Sequence, residues 1–174
     1  RVSYYSLSKR HINEWLRFYY KNMICINVAL EHFYGPFDDK SKFVSFVIDN
    51  IIKNTEKIDL TKGEQKRDFI YIDDVVDAFL RIINHAEGLK NGFFEYQIGS
   101  GNTVRIREIA ETIKKLADNK TTLLKFGALP YRENEVMESK VDTSAIKKLG
   151  WQSKVSLEEG LRKTIDLEKK ITRI

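Results

Sequence analysis

One pattern constrains this chain more than any other: short runs of branched apolar residues alternate, almost from end to end, with longer segments whose apolar positions recur at helical spacing. Residues 3–21 read as a helix, with Ser3 as its cap and Tyr5, Leu7, Ile12, Trp15, Leu16, Phe18 and Tyr19 repeating at a helical interval. Ile24 to Leu30 then has the near-continuous apolar character of a strand buried on both faces of a parallel sheet, and Tyr34-Gly35-Pro36 ends it. The spacing from Phe43 to Ile52 predicts an amphipathic helix, Lys57 to Leu60 a brief strand and Phe69 to Ile72 another. The last of these runs into Asp73 and Asp74, acidic residues that favour the start of a helix over Val75 to Asn84. A strand at Phe93 to Ile98, a helix at Arg105 to Ala117, a strand at Thr121 to Phe126, a short helix at Ser144 to Leu149 and a terminal helix from Leu157 to about Ile171 complete the order. Such alternation defines an α/β fold in which helices cover a largely parallel sheet.

Composition narrows the function classes. With 174 residues, 42% hydrophobic and 32% charged, the chain is long enough to bury a core without staples, since a domain of this size buries roughly 70% of its unfolded surface. Its single cysteine, Cys25, lies inside an apolar run and reads as a buried free thiol; no metal-ligand spacing is present. No stretch has the length of uncharged apolar sequence that a membrane span needs, and Arg1 to Arg10 does not read as a signal peptide, so the expected compartment is the cytoplasm. The net charge of +5 raises the possibility of nucleic-acid binding, but Lys and Arg are interleaved with Asp and Glu, as at Glu158-Glu159 before Arg162-Lys163. The most basic stretch, Lys62 to Arg67, contains Glu64 and has no aromatic ladder beside it.

The first motif with chemical content is Tyr5-Ser6-Leu7-Ser8-Lys9. Helical positions four apart share a face, so the Tyr5 hydroxyl and the Lys9 ammonium can address one substrate. A phenol near pKa 10 is a poor proton-transfer group at neutral pH, and a neighbouring cation favours its phenolate. Taken alone, the pair reads as a core-facing Tyr5 and a solvated Lys9.

Further along come His32-Phe33-Tyr34-Gly35-Pro36, then Arg67-Asp68-Phe69-Ile70-Tyr71-Ile72-Asp73-Asp74-Val75-Val76-Asp77-Ala78, Ile98-Gly99-Ser100-Gly101, Arg132-Glu133-Asn134-Glu135-Val136, and Asp142-Thr143-Ser144-Ala145 ending in Leu149-Gly150-Trp151. In this order, and over nearly the whole chain, the motifs resemble the extended short-chain dehydrogenase/reductase family, the NAD-dependent nucleotide-sugar epimerases, dehydratases and 4-keto reductases. The resemblance implies the C-terminal part of a Rossmann-like parallel sheet plus a small α/β substrate-binding lobe. Residues 1–36 and 73–100 would belong to the cofactor domain, and 37–72 and 101–174 to the substrate lobe. It implies that Tyr5 is the catalytic acid-base and that Lys9 supports it and hydrogen-bonds the nicotinamide ribose of NAD or NADP. Arg67 and Arg132 would grip the pyrophosphate of a nucleoside-diphosphate sugar through paired guanidinium bonds, Glu135 would lie near the nucleotide ribose, and Lys42 and Phe43 would line the nucleotide pocket through their backbone. In isolation either arginine reads as a surface salt bridge. The resemblance also implies a homodimer built through the helix that carries Tyr5 and Lys9, with Trp15, Phe18 and Tyr19 at the contact, and a role in deoxysugar and polysaccharide biosynthesis.

Two departures stand out. His32 occupies a position where the family commonly has an asparagine touching the sugar nucleotide, and imidazole differs from an amide in shape and titration. The family's strand, glycine-rich turn and helix for the dinucleotide pyrophosphate have no counterpart: Gly99-Ser100-Gly101 follows a strand, but Val104 stands where a third glycine would be. The chain alone is therefore expected to be catalytically inactive and to expose apolar surface around Ile24 to Leu30. Two other classes compete with this reading: a module that binds nucleotide sugars without chemistry, and a basic nucleic-acid-binding domain, whose affinity would fall steeply with salt.

Overall fold

The computed structural model describes residues 3–172. Its first helix, α1 (Tyr4–Tyr19), begins where the sequence places a cap: Ser6 N–H donates to Ser3 Oγ at 3.1 Å and Ser3 N–H to Ser6 Oγ at 2.9 Å, a reciprocal box that satisfies two free donors. No residue of α1 is buried. The chain then enters β1 (Ile24–Leu30), which pairs in parallel with the later β5 (Gly92–Ile98), from Ile24 opposite Gly92 to Leu30 opposite Ile98. Only Cys25 of β1 is buried, which corrects the expectation of a strand covered on both faces. Full burial needs a layer on each face and a strand on each edge, and β1 has one strand partner among the described residues.

Between these strands lie β2 (His32–Tyr34), α2 (Phe43–Ile52), β3 (Lys57–Leu60), β4 (Lys66–Tyr71) and α3 (Ile72–Ala86); after β5 come β6 (Thr103–Arg105), α4 (Ile106–Leu116), β7 (Leu123–Phe126), α5 (Ser144–Lys147) and α6 (Leu157–Thr172). β4 is the centre of a three-stranded sheet, parallel to β2 and antiparallel to β6, while β3 and β7 form a separate parallel pair. β2 and β6 were not legible as strands, because three residues are too few to show a period. β4 also starts three residues before the apolar run, since Lys66, Arg67 and Asp68 pair with Arg105, Val104 and Thr103. Pairing partners, not hydropathy, set that boundary.

Two apolar clusters hold the elements together. In one, Val47, Ile48 and Ile51 of α2 meet Ile109 and Ile113 of α4 and Leu161 and Ile165 of α6, over Ile58 and Leu60 of β3. In the other, Val75, Ala78 and Ile82 of α3 meet Ile98, Ile146 and Trp151. The acidic start of α3 does more than favour its N-terminus: Asp74 is buried and its carboxylate accepts the N–H groups of Lys154 and Val155, both at 3.0 Å, while Trp151 Nε1–H donates to the Asp74 carbonyl. That clip fixes the entry to α6. Gly160 of α6 then crosses so close to β2 and β4 that a β-carbon there would lie 2.3 Å from the Tyr34 hydroxyl oxygen.

Candidate active site

A pocket of about 470 Å³ opens between α2, the ends of β3 and β4, and the loop after β7. It gathers His32, Phe43, Arg67, Arg132 and Glu135, five of the six residues expected to bind substrate. Arg67 projects from β4 and is only 9% exposed; its Nη2 donates to Glu135 Oε1 at 2.5 Å and its Nη1 to the Lys66 carbonyl at 2.8 Å. This is a largely enclosed ion pair, not the solvated surface bridge that Arg67 in isolation would make. A tight turn brings the partners together: Glu135 N–H donates to the Arg132 carbonyl at 3.1 Å, with Asn134 in the left-handed region at φ 60°. Arg132 is exposed on the same pocket and has no ion-pair partner among the described residues.

His32, at the start of β2, places Nδ1 3.3 Å from Glu31 Oε2 and its ring centroid 5.5 Å from that of Phe69. His32, Phe43 and Phe69 also line an adjoining cavity of about 320 Å³, where Lys42 is found. The Lys42 ammonium is held 2.7 Å from Asp38 Oδ1 and 4.3 Å from the centre of the Phe33 ring. Its side chain is thus engaged beside the main pocket.

Tyr5 and Lys9 do share one face of α1, with the Lys9 ammonium 5.5 Å from the Tyr5 ring centre. The Tyr5 ring is 73% exposed, so it is not sealed in packing. Neither residue lines the pocket that holds Arg67 and Arg132. Sequence reasoning missed Asp59, Gln65 and Phe126 on the pocket wall. A signal was available for Asp59, which alternates with the buried Ile58 and Leu60, and for Gln65, which lies two residues before Arg67.

The Gly99-Ser100-Gly101 turn has an occupant of its own. Asp68, fully buried, accepts Ser100 N–H at 2.8 Å, Ser100 Oγ–H at 2.7 Å and Gly101 N–H at 2.7 Å. Gly101 adopts φ 82°, and a β-carbon at Gly99 would sit 2.8 Å from Asp68 Oδ2. A turn whose amides already hold a carboxylate has none left for a pyrophosphate, and the carboxylate would repel one. The turn between β5 and β6 therefore does not fit the pyrophosphate of NAD(P).

Sheet pairing and pocket together define a Rossmann-like α/β protein with a pocket lined by two arginines. Residues 1–99 match the model of the NAD dependent epimerase/dehydratase family, and the chain belongs to that family. It is 39% identical over 167 residues to CDP-abequose synthase of Salmonella muenchen, covering 94% of this chain and 56% of that protein. A probable GDP-L-fucose synthase of Oryza sativa subsp. japonica is 29% identical over 148 residues, covering 80% of this chain and 43% of the relative. UDP-glucose 4-epimerase of Thermotoga maritima, solved with UDP-glucose, superposes with a TM-score of 0.81 at 26% identity, over 98% of this chain and 55% of the other. The Thermus thermophilus UDP-glucose 4-epimerase, in complex with NAD, shares the fold with a TM-score of 0.80 at 21% identity, over 94% and 53% of the two chains. The chain spans about half the length of the curated relatives it matches. No helix among the described residues is long and apolar enough to cross a membrane.

Proposed function

We propose that this chain is the substrate-gripping portion, together with the catalytic helix, of an NAD(P)-dependent nucleotide-sugar epimerase or 4-keto-sugar reductase of deoxysugar and polysaccharide biosynthesis. The convergence of Arg67, Arg132 and Glu135 on one pocket carries this reading. Two guanidinium groups, one fixed by an ion pair and one exposed on the pocket, match the two phosphates of a nucleoside-diphosphate sugar. Since the relatives named above act on cytidine, guanosine and uridine diphosphate sugars by their names, the diphosphate is the element their substrates share.

In this proposal His32 borders the sugar side, Lys42 and Phe43 line the nucleotide pocket through their backbone, Glu135 faces the ribose while holding Arg67, and Tyr5 moves the proton of a sugar hydroxyl or carbonyl with Lys9 beside it. Residues 1–36 and 73–100 serve the cofactor domain, and 37–72 and 101–174 the substrate lobe. The isolated chain carries out no hydride transfer, because the Gly99-Ser100-Gly101 turn that follows β5 is filled by Asp68. It acts in the cytoplasm as a homodimer through α1, whose exposed Trp15 and Tyr19 stack on each other while Phe18 meets both rings edge-on.

Isothermal titration tests the reading. CDP, UDP, GDP or dTDP is expected to bind the chain in the micromolar range, with Arg132→Ala weakening the interaction at least about tenfold, while NAD(H) and NADPH give no heat. Failure of every nucleoside diphosphate to bind, or salt-sensitive binding of a random oligonucleotide in their place, would overturn it.

A further inference from the structure

The nucleotide pocket contains two acceptors that nothing among the described residues satisfies. Asp59 Oδ1 and Gln65 Oε1 are enclosed and receive no hydrogen bond, although both side chains line the wall that also carries Arg67 and Arg132. Gln65 is only 9% exposed, and its amide nitrogen is committed to Thr61 Oγ1 at 3.3 Å, which turns the carbonyl oxygen into the unpaired end. Asp59 stands between Ile58 and Leu60 on β3, both buried in the core, so strand alternation directs it away from that core. An enclosed, unpaired acceptor is costly to leave without a donor, and a carboxylate oxygen is the more demanding of the two.

We infer that Asp59 and Gln65 select the nucleobase: their free oxygens accept the two hydrogens of one exocyclic amino group, so the pocket prefers a cytosine nucleotide to a uracil one. The inference rests on the reading of this pocket as a nucleoside-diphosphate site. Charge sets the polarity of the bound molecule. Phosphates are drawn to the Arg67 and Arg132 end and repelled from Asp59, which leaves the base at the Asp59 end. Flat apolar surface is available there from Phe46 and Phe126, as a ring needs. Cytosine offers an amine with two N–H donors at its 4-position, matching two acceptors. Uracil has a carbonyl at the same position; it would set lone pairs against lone pairs and leave both protein oxygens unpaired. Hydrogen bonds to a charged acceptor are strong enough for this difference to reach about tenfold or more in affinity.

The deciding experiment is isothermal titration of the full 174-residue chain with CDP and UDP, for the wild type, Asp59→Asn and Gln65→Met, with thermal unfolding of each variant alone. The wild type is expected to bind CDP about tenfold or more tightly than UDP. Asp59→Asn is expected to weaken CDP while leaving UDP equal or tighter, since an asparagine amide can donate to the uracil carbonyl, and Gln65→Met to lower the CDP preference in the same direction. Equal binding of CDP and UDP by the wild type overturns the proposal, as does a variant series that weakens both nucleotides alike, which would make Asp59 a support for the arginines. Binding of neither nucleotide overturns the nucleotide-site reading itself, and base selection falls with it. Should Asp59→Asn fail to fold, the wild-type ratio and Gln65→Met decide the matter.

Discussion

Arg67 and Glu135 lie 68 residues apart in the chain and form the most enclosed ion pair among the described residues, with Glu135 Oε1 held by Arg67 Nη2 on the wall of the pocket that also holds Arg132. The pair has two functions at once. It ties the loop after β7 to β4, and it fixes the Arg67 guanidinium on the pocket wall.

Replacing Arg67 by alanine should therefore act on both. The enclosed Glu135 carboxylate loses its partner, with an expected loss of about 1–3 kcal/mol of stability, and nucleoside-diphosphate affinity should fall at least about tenfold. Arg132→Ala, by contrast, removes an exposed group without an ion pair and should weaken binding with stability unchanged. Urea denaturation beside titration with CDP separates the two arginines.

Asp68 is expected to be the most sensitive carboxylate for folding. Three donors from Ser100 and Gly101 converge on it in a fully buried position. Asp68→Asn replaces one acceptor oxygen with an NH₂ that faces N–H donors, and should cost about 2–3 kcal/mol. A shift in the urea midpoint at unchanged slope is the measurement; an unchanged midpoint would show that the turn does not depend on the charge.

Gly160 has no room for a side chain, because a β-carbon there would meet the Tyr34 hydroxyl at 2.3 Å and Tyr71 Cδ2 at 2.9 Å. Gly160→Ala should destabilise by about 1–3 kcal/mol through overpacking. In a Tyr34→Phe background, which removes the nearest atom, the same change should cost less. A double-mutant cycle reads that coupling directly.

Tyr34 also gives the protein an alkaline limit. Burial, with Tyr71, Asp74 and Glu159 adding to it, holds its hydroxyl well above the ordinary phenol range. A phenol raised in this way ionises first in the unfolded chain, so its contribution is intact below about pH 10 and is lost as pH rises further. Tyr34→Phe should flatten the alkaline decline of stability between pH 9 and 11, on the order of the usual phenol range. At neutral pH it should cost about 1 kcal/mol for the lost bond to the Leu157 carbonyl. Denaturation curves of both proteins across that range provide the comparison.

Much of the fold could be read in the chain itself. The bounds of β1 and β3, the periodic faces of α2 and α4, and the Ser3 cap of α1 are local properties, written in the spacing and type of neighbouring residues. So was the membership of His32, Phe43, Arg67, Arg132 and Glu135 in one constellation, which followed from ordered motifs. Lys42 lies beside that pocket, its ammonium turned to Asp38 and Phe33.

What the linear pattern could not supply was the fate of individual polar atoms. Hydrophobic periodicity reports which face of an element is buried, but whether a carboxylate survives burial depends on donors brought from elsewhere: Ser100 for Asp68, Lys154 for Asp74, Arg67 for Glu135. Asp59 and Gln65 are the converse, two acceptors to which the packing brought no donor at all. The sequence by itself thus determined the order of helices and strands and the family's motifs, because both are encoded by near neighbours. Only the tertiary structure decided which charges are neutralised from within and which polar atoms are left unpaired among the described residues, because that is settled by contacts between residues tens of positions apart.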